Sequence, residues 1–231
     1  MPVKHIEVSG LGTIAVYKRR DSRALKISID NNDQIRVSMP NWLPYRVATE
    51  FARNKSAWIA QHRKPPTLLK DGQTIGKAHR LEFVVSDRAK TPSTRLVGQA
   101  VRVSLPTNMN FTNMHAQLVA KRGATAALRK EASSLLPIRL RQLADQHNFV
   151  YSSVHIKQLR SRWGSCSDKR HITLNLFLMN VPWPLIDYVL LHELTHTKHL
   201  HHGLDFWTEV ETHMPSYKQL RKQLKEFQPS L

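Results

Sequence analysis

His192-Glu193-Leu194-Thr195-His196 is the part of this chain from which the architecture around it can be worked out. In an α-helix, residues four apart lie on one face, so the two imidazoles can reach one metal ion. The carboxylate between them lies about 100° round the helix, where it can accept a proton from a water that the metal activates. The pattern therefore predicts the metal-binding helix of a zinc-dependent peptidase.

The segment before this motif, residues 183–191, reads WPLIDYVLL and predicts the first turns of the same helix. Proline is tolerated in the first turn, and Asp187 complements the positive N-terminal end of the helix dipole. Apolar residues surround both histidines, so the helix is expected to be buried. Two histidines and a glutamate inside an apolar helix cost several kcal/mol unless partners or a metal satisfy them. Metal binding is favoured over the alternative of hydrogen-bonded core histidines.

A catalytic zinc site needs a third protein ligand, and the chain offers several candidates. On an unbroken helix His199 shares the face of His192 and His196, but it lies roughly 10 Å along the axis from His192. His202 lies about 120° off that face and can bind only if the helix ends and the chain turns back. Gly203 permits such a break. Geometry leaves both open, and further donors follow at His201, Glu209, Glu211 and His213.

Residues 192–207 carry the pattern HExxH…HG…FW, which resembles the signature of the YgjP-like metallopeptidase family, a relative of the SprT-like and WLM proteases. The resemblance extends upstream to RSRWGSC at 160–166 and ITLN at 172–175, and it spans about residues 15–228. It implies that His192, His196 and His202 bind one zinc ion per chain and that Glu193 is the general base. Two departures from the family are His201, where Asn is usual, and the additional His199.

Composition limits the classes of protein to which the chain can belong. A chain of 231 residues can bury a sizeable core as one large or two small domains. Cys166 is the single cysteine, so an intramolecular disulfide is excluded and a reducing compartment is indicated. The N-terminal residues lack the apolar core of a signal peptide, and no run of about 18 apolar residues predicts a membrane span. We therefore expect a cytoplasmic protein without a membrane partner.

The formal net charge of +18 is large for this length. Residues 1–150 hold 25 Lys and Arg against 10 Asp and Glu, whereas residues 151–231 hold 10 against 7. Such an excess favours nucleic acid or other polyanions as partners of the N-terminal region. Dispersed charge also simply maintains solubility, and no helix-turn-helix, zinc-finger or RNP pattern is present.

Residues 1–110 are expected to form a β-rich, basic N-terminal region. Alternating apolar and polar residues predict strands at 13–17, 25–29, 34–40, 81–85 and 100–106. The sequence Asp30-Asn31-Asn32-Asp33 predicts a hairpin turn, and Pro65-Pro66 predicts a loop. Helical spacing extends from Leu43 to about His62.

Residues 111–231 are expected to form a zincin-like catalytic domain, which makes the fold class α+β. Residues 113–147 predict a helix that backs the metal helix, with a kink or a fresh start at Pro137. Residues 154–166 and 171–178 are predicted to form a β-hairpin, followed by the HExxH helix and C-terminal helices. No internal repeat or low-complexity stretch is evident.

The hairpin has a candidate function in substrate binding. A protease commonly holds an extended peptide as an added strand at a sheet edge, and Trp163-Gly164-Ser165 is the candidate edge. The alternative is a packed Trp beside a turn glycine. Donors for the oxyanion are expected among Arg162, His199, His201 and Tyr217. Phe206 and Trp207 are expected to pack beneath the loop that carries His202.

The leading functional prediction is a zinc metallopeptidase in which a metal-activated water attacks the peptide bond and Glu193 accepts its proton. The resemblance to SprT-like proteases adds a variant, a protease that meets its protein substrates on nucleic acid. The alternative is a basic nucleic-acid-binding module whose metal is only structural. A structural site closes all four positions with protein ligands, so zinc-dependent cleavage that is lost in Glu193→Gln would separate the two.

Overall fold

The computed structural model describes residues 3–29, 34–62 and 68–231, which form two compact units, Met1–Thr67 and Leu68–Leu231. The predicted turn at Asp30–Asp33 and the predicted loop at Pro65-Pro66 lie outside the described residues. The units divide after residue 67, whereas the sequence had indicated a division at residue 110. The reason is that the strands after residue 68 pack on the long helix that follows them.

The first unit is a four-stranded sheet with two helices. The strands are β1 (Val3–Val8), β2 (Gly12–Arg19), β3 (Lys26–Ile29) and β4 (Ile35–Pro40), and the helices are α1 (Tyr45–Asn54) and α2 (Ser56–His62). The strand order is β1-β2-β4-β3, with β2 and β4 parallel and the two outer pairs antiparallel. The predicted strands and the helical region are confirmed, and β1 is an additional strand.

Alternation along the central strands separates the core from the opposite face of the sheet. Ile14 and Val16 of β2 and Val37 of β4 are fully buried in a cluster that includes residues of α1 and α2. Tyr17 and Arg36 face the other side of the sheet and are only half-buried, although Ala15, between Ile14 and Val16, is also fully buried. The first unit therefore has a core of its own.

The second unit contains two sheets and the remaining helices. Its first sheet has the order β5-β6-β8-β7 and its second has the order β10-β11-β9. The strands are β5 (Thr74–Ile75), β6 (His79–Val85), β7 (Ser93–Val97), β8 (Ala100–Leu105), β9 (Ser153–Lys157), β10 (Gly164–Cys166) and β11 (His171–Asn175). The helices are α3 (Met114–Gln146), a 3-10 helix (Leu176–Asn180), α4 (Trp183–Thr195), α5 (Leu204–His213) and α6 (Tyr217–Leu224).

The two four-stranded sheets share one connectivity. In each, the second and fourth strands pair in parallel, the outer strands pair antiparallel, and a helix follows the fourth strand. Residues 35–40 read IRVSMP and residues 101–106 read VRVSLP at the corresponding strands. The structure thus reveals a repeat that was not evident from the sequence, because the two sheets have similar amino-acid sequences in only one strand each.

Helix α3 joins the two halves of the second unit and continues through Pro137 without ending. A Cβ on Gly123 would come within 2.9 Å of the Val101 side chain, so the glycine lets α3 approach the sheet closely. Elsewhere α3 contacts α4, where Arg139 Nε and Nη2 donate to the two carboxylate oxygens of Asp187 at 2.8 and 2.7 Å. Asp187 therefore ties two helices together, a different role from the predicted complement to the helix dipole.

The predicted hairpin is a three-stranded sheet. β10 and β11 pair antiparallel as expected, but β9 pairs in parallel with the other edge of β11. The strand ends at Asn175, whose side-chain Oδ1 accepts a hydrogen bond from Phe177 N and starts the 3-10 helix. Leu176 and Leu178 therefore belong to that helix and not to the predicted strand. No helix of the described segments is both long and apolar enough to cross a membrane.

Candidate metal centre

Helix α4 carries His192 and Glu193 in a buried setting. Its apolar residues around the motif, including Leu190, Leu191 and Leu194, are fully buried. Helical geometry ends at Thr195, and His196 is the C-cap, whose backbone N–H donates to the His192 carbonyl. The helix therefore presents His192 and His196 at its last turn, beside the segment that leaves it.

The chain turns back within the seven residues after His196. Lys198 N and His199 N both donate to the Thr195 carbonyl, and α5 begins at Leu204. Gly203 has a φ of −74° and nothing within 4 Å of a Cβ, so the turn does not use the special conformations of glycine. The helix was expected to end after His196, but the reason given for it, the backbone freedom of Gly203, was wrong.

This turn brings His202 to the other two histidines. One ligand nitrogen of each of His192, His196 and His202 lies within 4.8 Å of the others, and the Nε2 atoms of His192 and His202 are 3.1 Å apart. A tetrahedral zinc with Zn–N bonds of about 2.0–2.1 Å requires nitrogens about 3.3 Å apart. His199 is outside the group, and its carbonyl accepts a hydrogen bond of 3.0 Å from His196 Nδ1. That bond leaves His196 Nε2 free to coordinate.

Phe206 and Trp207 of α5 pack against the histidine cluster. The Phe206 ring is fully buried, with centroid distances of 4.9, 4.6 and 4.7 Å to His192, His196 and His202. Trp207 stacks on His202 at 5.6 Å. The apolar surroundings favour neutral imidazoles, because burial is costly for a charged ring.

The electrostatics of the cluster agree with neutral ligands. Burial, followed by the charges of His196 and His202, lowers the pKa of His192 to about 3. The pKa values of His196 and His202 are also lowered, in both cases mainly by burial. Neutral imidazoles keep the lone pair that metal coordination needs.

Glu193 is a buried carboxyl next to these histidines. It is 5% exposed, and its Oε2 has no hydrogen-bond partner among the described residues. Burial raises its pKa to about 8, against the opposing charge of Arg162. A buried polar group without a partner is costly, which is typical of a functional site.

Gly164 of β10 makes room for this carboxylate. A Cβ at Gly164 would lie 2.6 Å from Glu193 Oε1, so any side chain there displaces the carboxylate or the strand. The glycine was predicted to allow close approach of a substrate backbone, and the group that approaches it in the structure is Glu193. β10 is nevertheless an edge strand, paired on one side with β11.

The remaining predicted site residues lie around this centre in different settings. Trp163 is half-buried and packs against the main core, whereas Arg162 is exposed. Tyr217 is buried, with its ring stacked on Trp207 at 5.4 Å. The positive charge of a protonated His201 would lower the pKa values of His196 and His202.

A comparison with family models matches residues 23–227 to the YgjP-like metallopeptidase domain. The chain belongs to the YgjP-like metallopeptidase family. It is accordingly a metal-dependent protease, as the resemblance of residues 160–207 had predicted. No curated protein matches the chain.

Two solved structures of metallopeptidase zymogens are similar to part of this YgjP-like chain. Abylysin of Pyrococcus abyssi is 26% identical, with a TM-score of 0.37, over 40% of this chain and 95% of its own. Jannalysin of Methanocaldococcus jannaschii is 22% identical, with a TM-score of 0.35, over 39% of this chain and 93% of its own.

Two residues near the centre of this YgjP-like protein were not singled out from the sequence. Asn175 is fully buried, and its Nδ2 donates to the carbonyls of Leu159 and Arg162 at 2.9 and 2.8 Å, which holds the loop before β10. The signal for it was a polar residue at the end of an alternating strand. Arg221 lies over the Trp207 ring, and nothing in the local sequence indicates that contact.

Proposed function

We propose that His192, His196 and His202 hold one zinc ion and that Glu193 is the general base in peptide-bond hydrolysis. The observation that carries this proposal is the meeting of three imidazoles beside a buried carboxyl group whose Oε2 has no hydrogen-bond partner among the described residues. The donor set fits zinc, which binds histidine nitrogen, and three ligands leave the open position that a catalytic site requires. The zinc preference rests on this chemistry together with the family.

The bound ion supplies a Lewis acid that polarises the scissile carbonyl and lowers the pKa of an attacking water. The protein residues do the rest. Glu193 accepts the proton of the water and passes it to the leaving amine. Its uncommitted Oε2 is available for this transfer, and Gly164 leaves it room against β10. The His196–His199 hydrogen bond fixes the orientation of the His196 ring.

We propose that a peptide substrate adds as a strand to the free edge of β10, at Arg162, Trp163 and Gly164. In the described part of the chain, β10 pairs only with β11. A strand added there passes beside Glu193, because the Gly164 backbone is in contact with that carboxylate. The charge of Arg162 acts on Glu193, so Arg162 is also close enough to be our candidate for stabilising the oxyanion.

The packing around α4 supports a zincin-like arrangement of the second unit. α3 backs α4 through the Arg139–Asp187 pair, β10 and β11 flank it, and α5 brings Phe206 beneath the histidines. The alternative of a purely structural metal in a binding module requires a fourth protein ligand. The group of possible ligands found in the described residues has three members and does not include Cys166.

The test is Glu193→Gln, assayed for cleavage of an unstructured protein and for zinc content. We expect the rate to fall by about 10²–10⁴-fold, the usual contribution of a general base, while zinc is retained. Glu211→Gln is the matched control, because Glu211 is an exposed residue of α5 paired with Lys218. Cleavage by Glu193→Gln at the parental rate would contradict the mechanism.

A second proposal is that the first unit contacts nucleic acid, through which the enzyme meets its protein substrates. Residues 1–67 hold 12 Lys and Arg against 5 Asp and Glu. Arg36, at a half-buried position of β4, lies over the Tyr17 ring at 4.6 Å, and its Nη2 donates to the Tyr17 hydroxyl at 2.7 Å. Its neighbours across the sheet are Ala15 and Ser28, so no acid lies opposite it in the register, and its remaining donors are suited to phosphate or to an unstacked base.

The corresponding arginine of the other sheet is the control for this proposal. Arg102 lies opposite Glu82 in the register and pairs with it at 3.4 Å. We expect Arg36→Gln to weaken binding of single-stranded DNA more than Arg102→Gln does, with affinity that falls steeply with salt. Absence of DNA binding at low salt, measured by mobility shift, would contradict the proposal.

A further inference from the structure

Trp207 of α5 connects the histidine cluster to helix α6. Its ring stacks on His202 at 5.6 Å, with an interplanar angle of 26°, and on Tyr217 at 5.4 Å, with an angle of 15°. Arg221 lies one helical turn after Tyr217, on the same face of α6, and its Cζ is 4.7 Å from the Trp207 ring centroid. Trp207 therefore holds a guanidinium beside the candidate metal centre.

Arg221 is exposed, and no carboxylate of the described residues forms an ion pair with it. The neighbouring Lys218 differs, because its ammonium is 3.1 Å from Glu211. The Arg221 guanidinium lies over the Trp207 ring and forms no hydrogen bond with a described residue, so its N–H donors are available to a ligand. Arg221 thus offers an unused fork of donors next to the histidines.

Aromatic side chains of α4, α5 and α6 lie around the histidines near Arg221. Tyr188 of α4 is buried with its ring centroid 6.0 Å from that of His192, and its hydroxyl is a possible hydrogen-bond donor. No described residue forms a hydrogen bond with that hydroxyl. An anion bound by Arg221 would lie next to Trp207, which itself stacks on His202.

We propose that Arg221 is a specificity-determining residue that binds a carboxylate of the peptide substrate close to the scissile bond. The planar fork of arginine matches a carboxylate in two parallel hydrogen bonds, a match that lysine cannot make. The carboxylate is the C-terminus of a short peptide or the side chain of an Asp or Glu residue. This inference rests on the proposed metal centre, since that centre sets where the substrate lies.

The test uses calorimetric binding of hydroxamate dipeptides to the zinc-loaded chain. The first pair of probes differs only in ending with a free carboxylate or with a primary amide. The second pair is amide-capped and carries Glu or Gln next to the hydroxamate. Hydrogen bonds to charged groups contribute about 1.5–3 kcal/mol, so we expect the acid of one pair to bind roughly 10–100-fold tighter than its neutral partner.

Variants of α6 separate recognition from packing. Arg221→Gln is expected to bring the acid-to-neutral ratio of affinities close to 1, and Arg221→Lys to leave an intermediate ratio. Lys222→Gln removes an equal charge from the next position of the same helix and is expected to keep the parental ratio. Arg221→Lys retains a cation over Trp207, so it tests the inference even if the glutamine variant is unstable.

The pair of probes whose acid-to-neutral affinity ratio falls in Arg221→Gln identifies the source of the carboxylate. The first pair indicates a peptide C-terminus, and the second pair indicates an acidic side chain. Two results would overturn this inference while leaving the metal centre intact. One is an acid-to-neutral ratio that Arg221→Gln leaves unchanged, and the other is equal binding of acid and neutral probes by the parent. If none of the four probes binds the zinc-loaded parent, the metal centre itself is wrong, and the inference is overturned with it.

Discussion

Glu131 and Glu193, two glutamates of the second unit, are almost equally buried, at 6% and 5% exposure, but their surroundings differ. The Glu131 carboxylate accepts hydrogen bonds from Lys77 N, Ala78 N and His79 Nδ1 at 2.6, 2.9 and 2.5 Å. Glu193 Oε2 has no partner in the described residues. Each packs against a glycine, Gly76 or Gly164, that has no room for a Cβ.

This difference separates a carboxylate that stabilises the fold from one for which we propose a catalytic role. Glu131 anchors the turn between β5 and β6 onto α3, and its polar atoms are satisfied, so it stabilises the fold. Glu193 Oε2 is unsatisfied at a cost in stability, as we expect if Glu193 is the general base that we propose. Burial alone would not have distinguished the two residues.

The largest effect on folding is expected for Glu131→Ala. It leaves two backbone N–H groups and His79 without their acceptor in a buried place, so we expect a loss of about 3–5 kcal/mol in the free energy of unfolding. Denaturant titration of the metal-free protein measures it. A loss below about 1 kcal/mol would contradict the structural role of Glu131.

A smaller effect is expected for Gly164→Ala. The new Cβ meets Glu193 Oε1, and crowding of this kind costs about 1–3 kcal/mol. The cost should largely disappear when Glu193→Ala is present as well, because the clashing carboxylate is then absent. Additive effects in this double-mutant cycle, measured by denaturant unfolding, would show that the strand itself is strained and that Glu193 is not.

The smallest effect on folding is expected for Glu193→Gln. The change removes no hydrogen bond of Oε2, so the free energy of unfolding of the metal-free protein should change by less than about 1 kcal/mol. The same variant is the one for which the largest loss of catalysis is expected. A destabilisation as large as that of Glu131→Ala would mean that Glu193 is a structural residue too.

Features of the sequence with local periodicity were predictable. The HExxH helix, the strands with alternating residues and the long helix at 114–146 follow from short-range spacing, and the family pattern indicated His202. The Glu131–His79 pair joins residues 52 positions apart, and the contact of Arg221 with Trp207 joins α6 to α5. Such contacts depend on how elements pack, so no window of sequence contains them.

The same limit explains the misplaced division between the units. β5 has only two residues, and in β7 only Thr94 and Leu96 are partly buried, one of which is polar, so neither segment was recognised as a strand. Without them, the second sheet could not be recognised as a copy of the first one. The packing of α3 on that sheet then remained hidden, although its length and its position behind α4 were predicted correctly.

The central claim is that His202, and not His199, completes the metal centre, and zinc affinity tests it most directly. We measure the zinc dissociation constants of the parent, His202→Ala and His199→Ala by competition with a chelator. The account predicts that His202→Ala weakens zinc by more than the 10–100-fold typical of losing a supporting residue, and that His199→Ala leaves affinity nearly intact, because only its carbonyl contacts His196. Strong loss in His199→Ala with parental affinity in His202→Ala would contradict it.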